Sequence, residues 1–442
     1  MKDALLIRPG GILKGRCRVP GDKSISHRAL LLGAIAGGRS RAKGFLPASD
    51  CLATLRCVEA LGIRVESRGD TCVAPTSVEL IVHGRGLRGL LAPDAPLDCA
   101  GSGTTMRLLC GLLAGQPFSA VLTGNDQLLR RPMERVIAPL QEMGAHIISS
   151  EGRAPIYIEG KHLRGIDYHL PIPSAQVKSA LLLAGLYAAG PTRLHEPAPS
   201  RDHTERMLKA MGADLRMGNG RMIVLFPLLE GEELEPLDIS IPGDFSSAAF
   251  LLIAGLLVPG SELVIEGVGV NPGRTGLLDV LQAMGAKIGV EDMRLMGGEP
   301  VADLVVRAGE LRGVEVGGAL IPRLMDELPV LAVAATQAQG LTVVRDAAEL
   351  RVKESDRIST TVAELRRLGA RVEALPDGFI IEGPAPLRGF AVESHGDHRL
   401  AMALTIAGLA AEGETLVRDT ACISDSFPGF SELLASVGGD VR

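Results

Sequence analysis

Six segments of the chain share one arrangement of polar and apolar positions. Each begins with a short polar or charged head, continues as an apolar run rich in Leu, Ala and Ile, and stops at a Gly. Apolar residues occupy almost every position of these runs, so we expect helices that are buried on all sides. The six segments begin at Pro20, Gly101, Pro173, Pro242, Met325 and Gly396.

A second pattern recurs in step with the first: a Gly near a helix end is followed by the start of a strand. Its copies are separated by about 70–80 residues, and internal repetition is stronger evidence for architecture than local propensity. The strands are short and rich in Val and Ile, so the pattern predicts an α/β (α+β) protein of six βαβ-type units. The copies begin at Leu61, Met143, Met211, Met284, Leu368 and Val437.

The tripeptide Pro-Gly-Asp occurs at matching places in the two halves, at residues 20–22 and 242–244. We interpret these copies as the two crossings between two domains of three repeats each. The N-terminal domain would comprise residues 20–242, and the C-terminal domain residues 1–19 plus 243–442. If the polar helix starts of both domains face the gap between them, they converge on one cleft, and domain interfaces are common ligand sites.

Composition excludes several classes of function. Trp is absent, aromatic residues make up 3% and the net charge is −6, so we expect no nucleic-acid partner. The apolar runs are shorter than the roughly 20 residues of a membrane span, so we expect no membrane partner. Seven cysteines without Cys/His metal-ligand spacing indicate reduced thiols in the cytoplasm. The sequence contains no metal-binding motif, so we expect no metal ion, and we expect no other cofactor.

The polar heads contain the candidate chemistry. Lys23, Ser24 and Arg28 lie at a helix start, where unpaired N–H groups and the helix dipole suit an anion such as phosphate. An N-terminal cap surrounded by solvated charges would give the same pattern. The glycines around Gly103 permit close backbone approach to a ligand, and Ser174 is a good N-cap residue.

Acidic residues near two later helices are candidates for proton transfer. Asp326 directly precedes a buried helix, as a general base at a cleft or as a carboxylate that the helix dipole favours. In the run from Arg351 to Arg357, a helix would place Glu354 and Lys353 on the face of Arg357. A salt-bridged surface helix is the alternative for that run.

Nine stretches together resemble one enzyme family, from about residue 8 to residue 434. They are PGDKSISHRAL, GSGTTMR, LLRRPM, PSAQVKSALLLAGL, SRDHTERML, IPRLMDELPVLAVAA, LRVKESDRI, GDHRLAMA and SFPGF. With the six-repeat plan, they resemble the 5-enolpyruvylshikimate-3-phosphate synthases, the target of glyphosate. The resemblance implies a two-domain inside-out α/β barrel with three βαβαββ repeats in each domain and a cleft between the domains.

The resemblance also implies a reaction and its residues. The enolpyruvyl group of phosphoenolpyruvate would pass to the 5-hydroxyl of shikimate-3-phosphate, with release of phosphate, in a protein expected to be a monomer. Asp326 would take the hydroxyl proton, and Glu354, helped by Lys23, would exchange the proton at the methylene carbon. Shikimate-3-phosphate would be bound by Lys23, Ser24, Arg28, Ser174, Ala175, Gln176, Ser200, Arg201, Asp326 and Lys353. Phosphoenolpyruvate would be bound by Lys23, Gly103, Arg131, Gln176, Arg357 and Arg399.

Three positions depart from the family pattern, and two other functions compete. Ala175 replaces the second Ser of the family's Ser-Ser-Gln pattern. Gly101 replaces the usual Asn of the glycine loop, and Asp425 replaces a frequent Lys. The related transferase that acts on UDP-N-acetylglucosamine shares the fold and chemistry, but its loop Cys and uridine-site residues have no convincing counterparts here. A non-catalytic anion-binding repeat protein is disfavoured because two carboxylates near an anion would weaken its binding.

Overall fold

The chain forms two compact units in the computed structural model, which describes residues 4–69, 78–218 and 221–442. The N-terminal unit comprises Gly21–Ile241 with Met296–Glu299, and the C-terminal unit comprises Met1–Pro20, Pro242–Leu295 and Pro300–Arg442. The predicted domains, 20–242 and 1–19 plus 243–442, change over after residues 19 and 242. Each of these boundaries lies one residue from the corresponding boundary between the units, after residues 20 and 241. The segment Met296–Glu299 was not anticipated.

The described residues form 24 strands and 14 α-helices. The strands are β1 (Ala4–Arg8), β2 (Lys14–Cys17), β3 (Arg39–Lys43), β4 (Arg64–Arg68), β5 (Glu79–His83), β6 (Leu97–Asp98), β7 (Ser119–Thr123), β8 (His146–Ser150), β9 (Arg153–Glu159), β10 (Asp167–His169), β11 (Thr192–His195), β12 (Leu215–Met217), β13 (Met222–Leu225), β14 (Asp238–Ser240), β15 (Glu262–Gly269), β16 (Lys287–Met296), β17 (Glu299–Arg307), β18 (Glu315–Val316), β19 (Gly340–Val344), β20 (Arg371–Leu375), β21 (Gly378–Gly383), β22 (Ala391–Glu393), β23 (Thr415–Arg418) and β24 (Asp440–Val441). The helices are α1 (Lys23–Ala34), α2 (Ser49–Ala60), α3 (Gly103–Ala114), α4 (Asp126–Leu129), α5 (Glu134–Glu142), α6 (Ala175–Gly185), α7 (His203–Ala210), α8 (Phe245–Leu257), α9 (Gly276–Ala283), α10 (Ile321–Leu324), α11 (Leu328–Gln337), α12 (Arg357–Arg367), α13 (His398–Ala410) and α14 (Phe430–Ser436). Three 3₁₀ turns cover Gly318–Leu320, Ala348–Val352 and Thr420–Asp425.

The strands of each unit form three four-stranded sheets of one design. In the sheet β6-β7-β9-β8, an edge strand pairs parallel with its neighbour, and the remaining pairs are antiparallel. The sheet β10-β11-β13-β12 has the same pattern. The predicted six-fold repetition is therefore present as six copies of one sheet topology.

Two sheets are completed by strands from the other end of their own unit. In the N-terminal unit, β14 pairs parallel with β3, although β3 follows the first buried helix of the chain. In the C-terminal unit, β2 pairs parallel with β15. In both units, therefore, the parallel edge strand of one sheet is far in the sequence from the strand with which it pairs. Residues 4–17, near the start of the chain, supply two strands to the C-terminal unit.

Buried helices form the interior of each unit, and the sheets lie outside them. Helices α1, α3 and α6 contact one another in the N-terminal unit, and α8, α11 and α13 do so in the C-terminal unit. Nearly every residue of these helices is buried, as the apolar runs predict. The inside-out α/β fold is confirmed. No helix in the described ranges combines the length and hydropathy that a bilayer crossing requires.

Six cysteines in the described ranges form no disulfide: Cys17, Cys51, Cys57, Cys99, Cys110 and Cys422. This agrees with the prediction of reduced thiols for these six. Burial raises the pKa of the Cys17 thiol to about 11, so it stays protonated near neutral pH. The seventh, Cys72, lies outside the described residues.

Gly111 allows helices α3 and α6 to approach closely. A Cβ atom at this position would lie 2.0 Å from the carbonyl oxygen of Ala180. We expect Gly111→Ala to lower the free energy of unfolding by about 1–3 kcal/mol, because one of the two buried helices must move. Urea unfolding measures this, with Gly309→Ala as the control, since a Cβ there meets nothing within 4 Å. Equal stability of the two variants would contradict the close packing.

Candidate active site

Several of the polar heads contain a residue that caps the buried helix following it. The side chains of Asp22, Ser102 and Ser174 accept hydrogen bonds from backbone N–H groups of Ile25, Thr105 and Val177, at 2.9, 3.2 and 3.4 Å respectively. The side chains of Asp244 and Asp397 cap α8 and α13 in the same way. The capping interpretation is therefore correct for these residues, and the cationic and hydroxyl side chains beside them carry the candidate chemistry.

Arg28 is held inside the N-terminal unit by three neighbours. Its guanidinium donates to Thr204 Oγ1 at 2.6 Å, to Ser179 Oγ at 2.7 Å and to the Ser24 carbonyl at 2.9 Å. Burial, with a smaller contribution from the charge of Arg201, lowers the pKa of Arg28 to about 10, although Glu205 and Asp22 oppose the shift. The predicted ligands Arg28 and Arg201 therefore lie close enough to repel each other, and a bound anion would relieve that repulsion.

Lys23 begins helix α1 and forms an ion pair with Asp50 of helix α2. Each of the two side chains is 16% exposed, so both remain accessible. Asp50 was not predicted from the sequence, because it lies in a different helix of the same repeat. This pair places the Lys23 ammonium beside a carboxylate that can exchange partners when an anion binds.

Five residues predicted or quoted separately meet at the start of helix α3. Arg107 Nη1 donates to Gln176 Oε1 at 2.6 Å, and Gln176 Nε2 donates to Thr104 Oγ1 at 2.9 Å. A Cβ on Gly103 would lie 2.9 Å from Nη1 of both Arg107 and Arg131. Gly103, Arg131 and Gln176, all predicted to bind phosphoenolpyruvate, are thus brought together. Two guanidinium groups so close suit a carboxylate or phosphate.

Arg107 is one of the two residues of this group, with Thr104, that the predicted set omits. It stands in the quoted GSGTTMR stretch, one helical turn after Gly103, so helical spacing could have identified it. Gly101 lies beside the side chain of Asn125, since a Cβ atom on Gly101 would be 3.2 Å from Asn125 Nδ2. Asn125 therefore offers an amide beside the position where the family usually has an Asn side chain.

Ser200 is held by a buried charge cluster. Its hydroxyl donates to Glu196 Oε1 at 2.5 Å, and Lys178 Nζ lies 3.0 Å from Glu196 Oε2 and 2.7 Å from Glu205 Oε1. The Lys178 side chain is 1% exposed. Burial raises the pKa of Glu205, although Lys178 opposes the shift. Burial alone would lower the pKa of Lys178, but Glu205 and Glu196 outweigh it and raise the pKa.

We expect Lys178→Met to lower the free energy of unfolding by about 2–3 kcal/mol at neutral pH, because two buried carboxylates lose their cation. The pKa of Glu205 is already raised and would rise further, so the native state binds protons more readily than the unfolded chain. Stability of the variant should therefore recover as the pH falls from about 8 towards 5.5. Urea unfolding at both pH values measures this.

Lys161→Met is the matched control for Lys178→Met. Lys161 also pairs with a glutamate, Glu159, at 2.5 Å, but its side chain is 46% exposed. We expect a change within about 0.5 kcal/mol for this exposed pair, with little dependence on pH. A Lys178→Met variant whose loss grows on acidification would contradict the assigned roles of Lys178 and Glu205.

Two further predicted ligands of the N-terminal unit, Ser174 and Ala175, lie at the start of helix α6. Ser174 is occupied in capping α6. Ala175 begins that helix and has no polar side-chain atom, and its carbonyl accepts from Ser179 Oγ at 2.6 Å. Any contact of Ala175 with a polar ligand therefore involves its backbone.

In the C-terminal unit, Arg357 lies among three carboxylates. Its Nε is 2.8 Å from Asp397 Oδ2, its Nη2 is 2.7 Å from Glu354 Oε2, and its Nη1 is 3.5 Å from Asp326 Oδ1. The side chains of Arg357 and Asp397 are 1% and 0% exposed. Burial alone would lower the pKa of Arg357, but Asp397 and Glu354 outweigh it, so the pKa lies above its usual range.

Asp326 and Glu354 thus share one guanidinium but differ in their other contacts. Asp326 Oδ2 also lies 3.7 Å from Arg399 Nη2, so two predicted phosphoenolpyruvate ligands flank it. Both carboxylates are about one-fifth exposed, at 19% and 20%. Two partly exposed carboxylates beside cations are suited to divide acid and base work.

The prediction of a helix through the Arg351–Arg357 run is wrong. A 3₁₀ turn ends at Val352, and α12 begins only at Arg357, because Asp356 caps its start by accepting from the Ser359 N–H. The expected Glu354–Arg357 pair forms without that helix. Lys353 does not share a face with Arg357 and instead lies 3.0 Å from Glu349. Burial lowers the pKa of Lys353.

Comparison with known proteins gives a consistent result over nearly the full chain. A family model described as EPSP synthase (3-phosphoshikimate 1-carboxyvinyltransferase) matches residues 7–434. A 3-phosphoshikimate 1-carboxyvinyltransferase from Desulforudis audaxviator is 55% identical over 438 residues, covering 98% of this chain and 99% of the relative. One from Desulforamulus reducens is 51% identical over 436 residues, with the same coverage. A solved structure of EPSP synthase from Acinetobacter baumannii has a TM-score of 0.87 and 43% identity, covering 100% of this chain and 99% of that one.

Proposed function

Because the chain belongs to the EPSP synthase family, we propose that it is a 3-phosphoshikimate 1-carboxyvinyltransferase. It transfers the enolpyruvyl group of phosphoenolpyruvate to the 5-hydroxyl of shikimate-3-phosphate and releases phosphate. The observation that carries the proposal is the position of Asp326, between Arg357 and Arg399, with Glu354 on the same Arg357 guanidinium. The related UDP-N-acetylglucosamine transferase and a non-catalytic anion-binding protein are not favoured.

The carboxylates of the C-terminal unit carry the proton transfers of the proposed mechanism. Glu354, in its protonated form and assisted by Lys23, gives a proton to the methylene carbon of phosphoenolpyruvate, which leaves a cationic centre at the adjacent carbon. The 5-hydroxyl oxygen bonds to that carbon while its proton passes to Asp326. Loss of the methyl proton to Glu354 and cleavage of the bond to the phosphate oxygen then give the enol ether and inorganic phosphate.

The cations serve the negative charges of the substrates. In the N-terminal unit, Arg131 and Arg107 converge on Gly103, and Arg107 also donates to Gln176, an arrangement that suits the carboxylate or phosphate of phosphoenolpyruvate. Arg28 and Arg201 are proposed to hold the phosphate of shikimate-3-phosphate. Their mutual repulsion is lowered when a dianion lies between them.

The remaining proposed ligands orient the hydroxylated cyclohexene ring of shikimate-3-phosphate. Ser24, Ser174 and Ser200 offer hydroxyls, Ala175 its backbone, and Lys353 an ammonium group whose pKa is lowered by burial. Arg357 is proposed to act on phosphoenolpyruvate while it remains bonded to its carboxylates. We also propose that the enzyme works as a monomer in the cytoplasm, with these two small molecules and neither nucleic acid nor membrane as partners.

Phosphate release tests the proposed reaction. The purified protein is expected to release phosphate only when phosphoenolpyruvate and shikimate-3-phosphate are both present, and not with either one alone. UDP-N-acetylglucosamine in place of shikimate-3-phosphate should give none. Release with the nucleotide sugar alone as acceptor would assign the protein to the related transferase. Absence of release with both acceptors would favour the binding protein.

A further inference from the structure

Three metal-binding side chains lie on one exposed face of the N-terminal unit. Strand β10 is the edge of its sheet and pairs parallel with β11, with His169 opposite His195 and Asp167 opposite Arg193. Residues two apart on a strand point to the same face. Asp167, His169 and His195 therefore project together, and each is at least partly exposed.

The donor atoms of these three side chains are already close together. One ligand atom from each lies within 4.8 Å of the others. The imidazole rings are stacked, with centroids 4.1 Å apart and planes 5° from parallel. His195 Nε2 is 2.7 Å from Asp167 Oδ1. Tetrahedral coordination at about 2.0–2.2 Å places ligand atoms roughly 3.3–3.6 Å apart, so the stacked rings must turn towards a common point for both to bind one ion.

We propose that Asp167, His169 and His195 form a binding site for a divalent late transition-metal ion, with Zn²⁺ as its probe. Imidazole nitrogens suit this class of ion, and a carboxylate completes a set of two nitrogens and one oxygen. The ion takes the place of the proton between His195 and Asp167, and solvent occupies the open coordination positions.

The surroundings set the strength of the site. The three side chains are on the solvent side of the sheet, and the Asp167 side chain is 56% exposed, so an ion can enter without rearrangement of the core. Arg193 lies on the same face opposite Asp167, and its positive charge opposes binding of a cation. None of the three residues belongs to the proposed reaction.

The test is calorimetric titration of the full chain, first treated with a chelator, with Zn²⁺. We expect one ion to bind per chain. His169→Ala and His195→Ala should each weaken Zn²⁺ binding at least about tenfold, because loss of even a residue that only hydrogen-bonds a metal ligand weakens metal affinity by that factor. Arg193→Gln should strengthen it. The matched control is His146→Ala, because His146 also bonds a carboxylate across a strand pair, Glu159 at 2.6 Å.

The outcomes separate the proposal from adventitious binding. Unchanged Zn²⁺ affinity in the His146 variant, with weakening in both other variants, supports the site. Equal affinity in all three variants, weakening in only one of the two ligand variants, or no binding by the wild type would overturn it. Electron paramagnetic resonance of bound Cu²⁺ gives a second readout: nitrogen couplings from two imidazoles are expected in the wild type and from one in each ligand variant. Thermal melting checks that all variants are folded.

Discussion

Replacing Asp326 by Asn should lower kcat by about 10²–10⁴-fold, the usual contribution of a positioned general base. The amide has nearly the same shape as the carboxylate and can still accept from Arg357, which lies 3.5 Å away. It cannot take the proton of the attacking hydroxyl. The loss should therefore appear in kcat, with a much smaller change in the KM values, and steady-state phosphate release measures both.

Asp279→Asn is the control for this variant. Asp279 lies in the same unit and also pairs with an arginine, Arg323, at 2.7 Å, but its side chain is 48% exposed and outside the proposed site. We expect its kcat and stability to stay within about twofold and 0.5 kcal/mol of the wild type. An Asp326→Asn enzyme with wild-type kcat, or with a change only in KM, would remove Asp326 from the role of base.

Replacing Arg357 by Met should both inactivate the enzyme and lower the free energy of unfolding by about 3–5 kcal/mol, because removal of one partner leaves a buried charge. That charge is Asp397, whose side chain is 0% exposed and 2.8 Å from Arg357 Nε. Glu354 and Asp326 lose the same partner. Urea unfolding and phosphate release measure the two effects.

The pH dependence gives this prediction a distinct signature. Burial alone would raise the pKa of Asp397, but Arg357 outweighs it and the pKa is lowered. In the wild type, Asp397 therefore contributes stability above its ordinary value of 3.8, and this is lost as the pH falls through the lower native pKa. Without Arg357 its pKa should rise above 3.8, so the variant should gain stability as the pH falls from neutral towards that value.

A second substitution separates stability from activity. Arg357→Met combined with Asp397→Asn removes both members of the buried pair, while Asn can still cap α13 at the Arg399 N–H, 3.0 Å away. This double variant should recover at least half of the lost stability, as removal of whole buried pairs often does, and remain inactive. Arg367→Met, on the exposed side of α12, is the control. Recovery of activity in the double variant would contradict a direct role for Arg357.

The fold could be predicted because each repeat carries the same information. Six apolar helices and six Gly-to-strand junctions recur in register, so errors in single elements do not alter the architecture. The run before Arg357 shows such an error. Its charges fit helical spacing, but the capping Asp356 begins the helix only at Arg357, and spacing alone does not reveal where a helix starts.

The site could be predicted only in part, because motifs name residues but not their partners. Arg357 and Glu354 are three apart in the sequence, and their pair was expected. The contacts of Lys178 with Glu196 and Glu205 join α6 to later segments of the repeat. Such contacts depend on tertiary packing that no local spacing encodes. The proposed metal site could not be derived from sequence spacing for the same reason, since His169 and His195 meet only through the pairing of β10 with β11.

The origin of the released phosphate tests the central claim most directly. Phosphoenolpyruvate carrying ¹⁸O at the oxygen between carbon and phosphorus is incubated with shikimate-3-phosphate and the enzyme, and the phosphate is analysed by mass spectrometry. Enolpyruvyl transfer breaks the carbon–oxygen bond, so we predict that the label appears in the phosphate. Unlabelled phosphate, or label released without shikimate-3-phosphate, would mean a different reaction and would contradict the account.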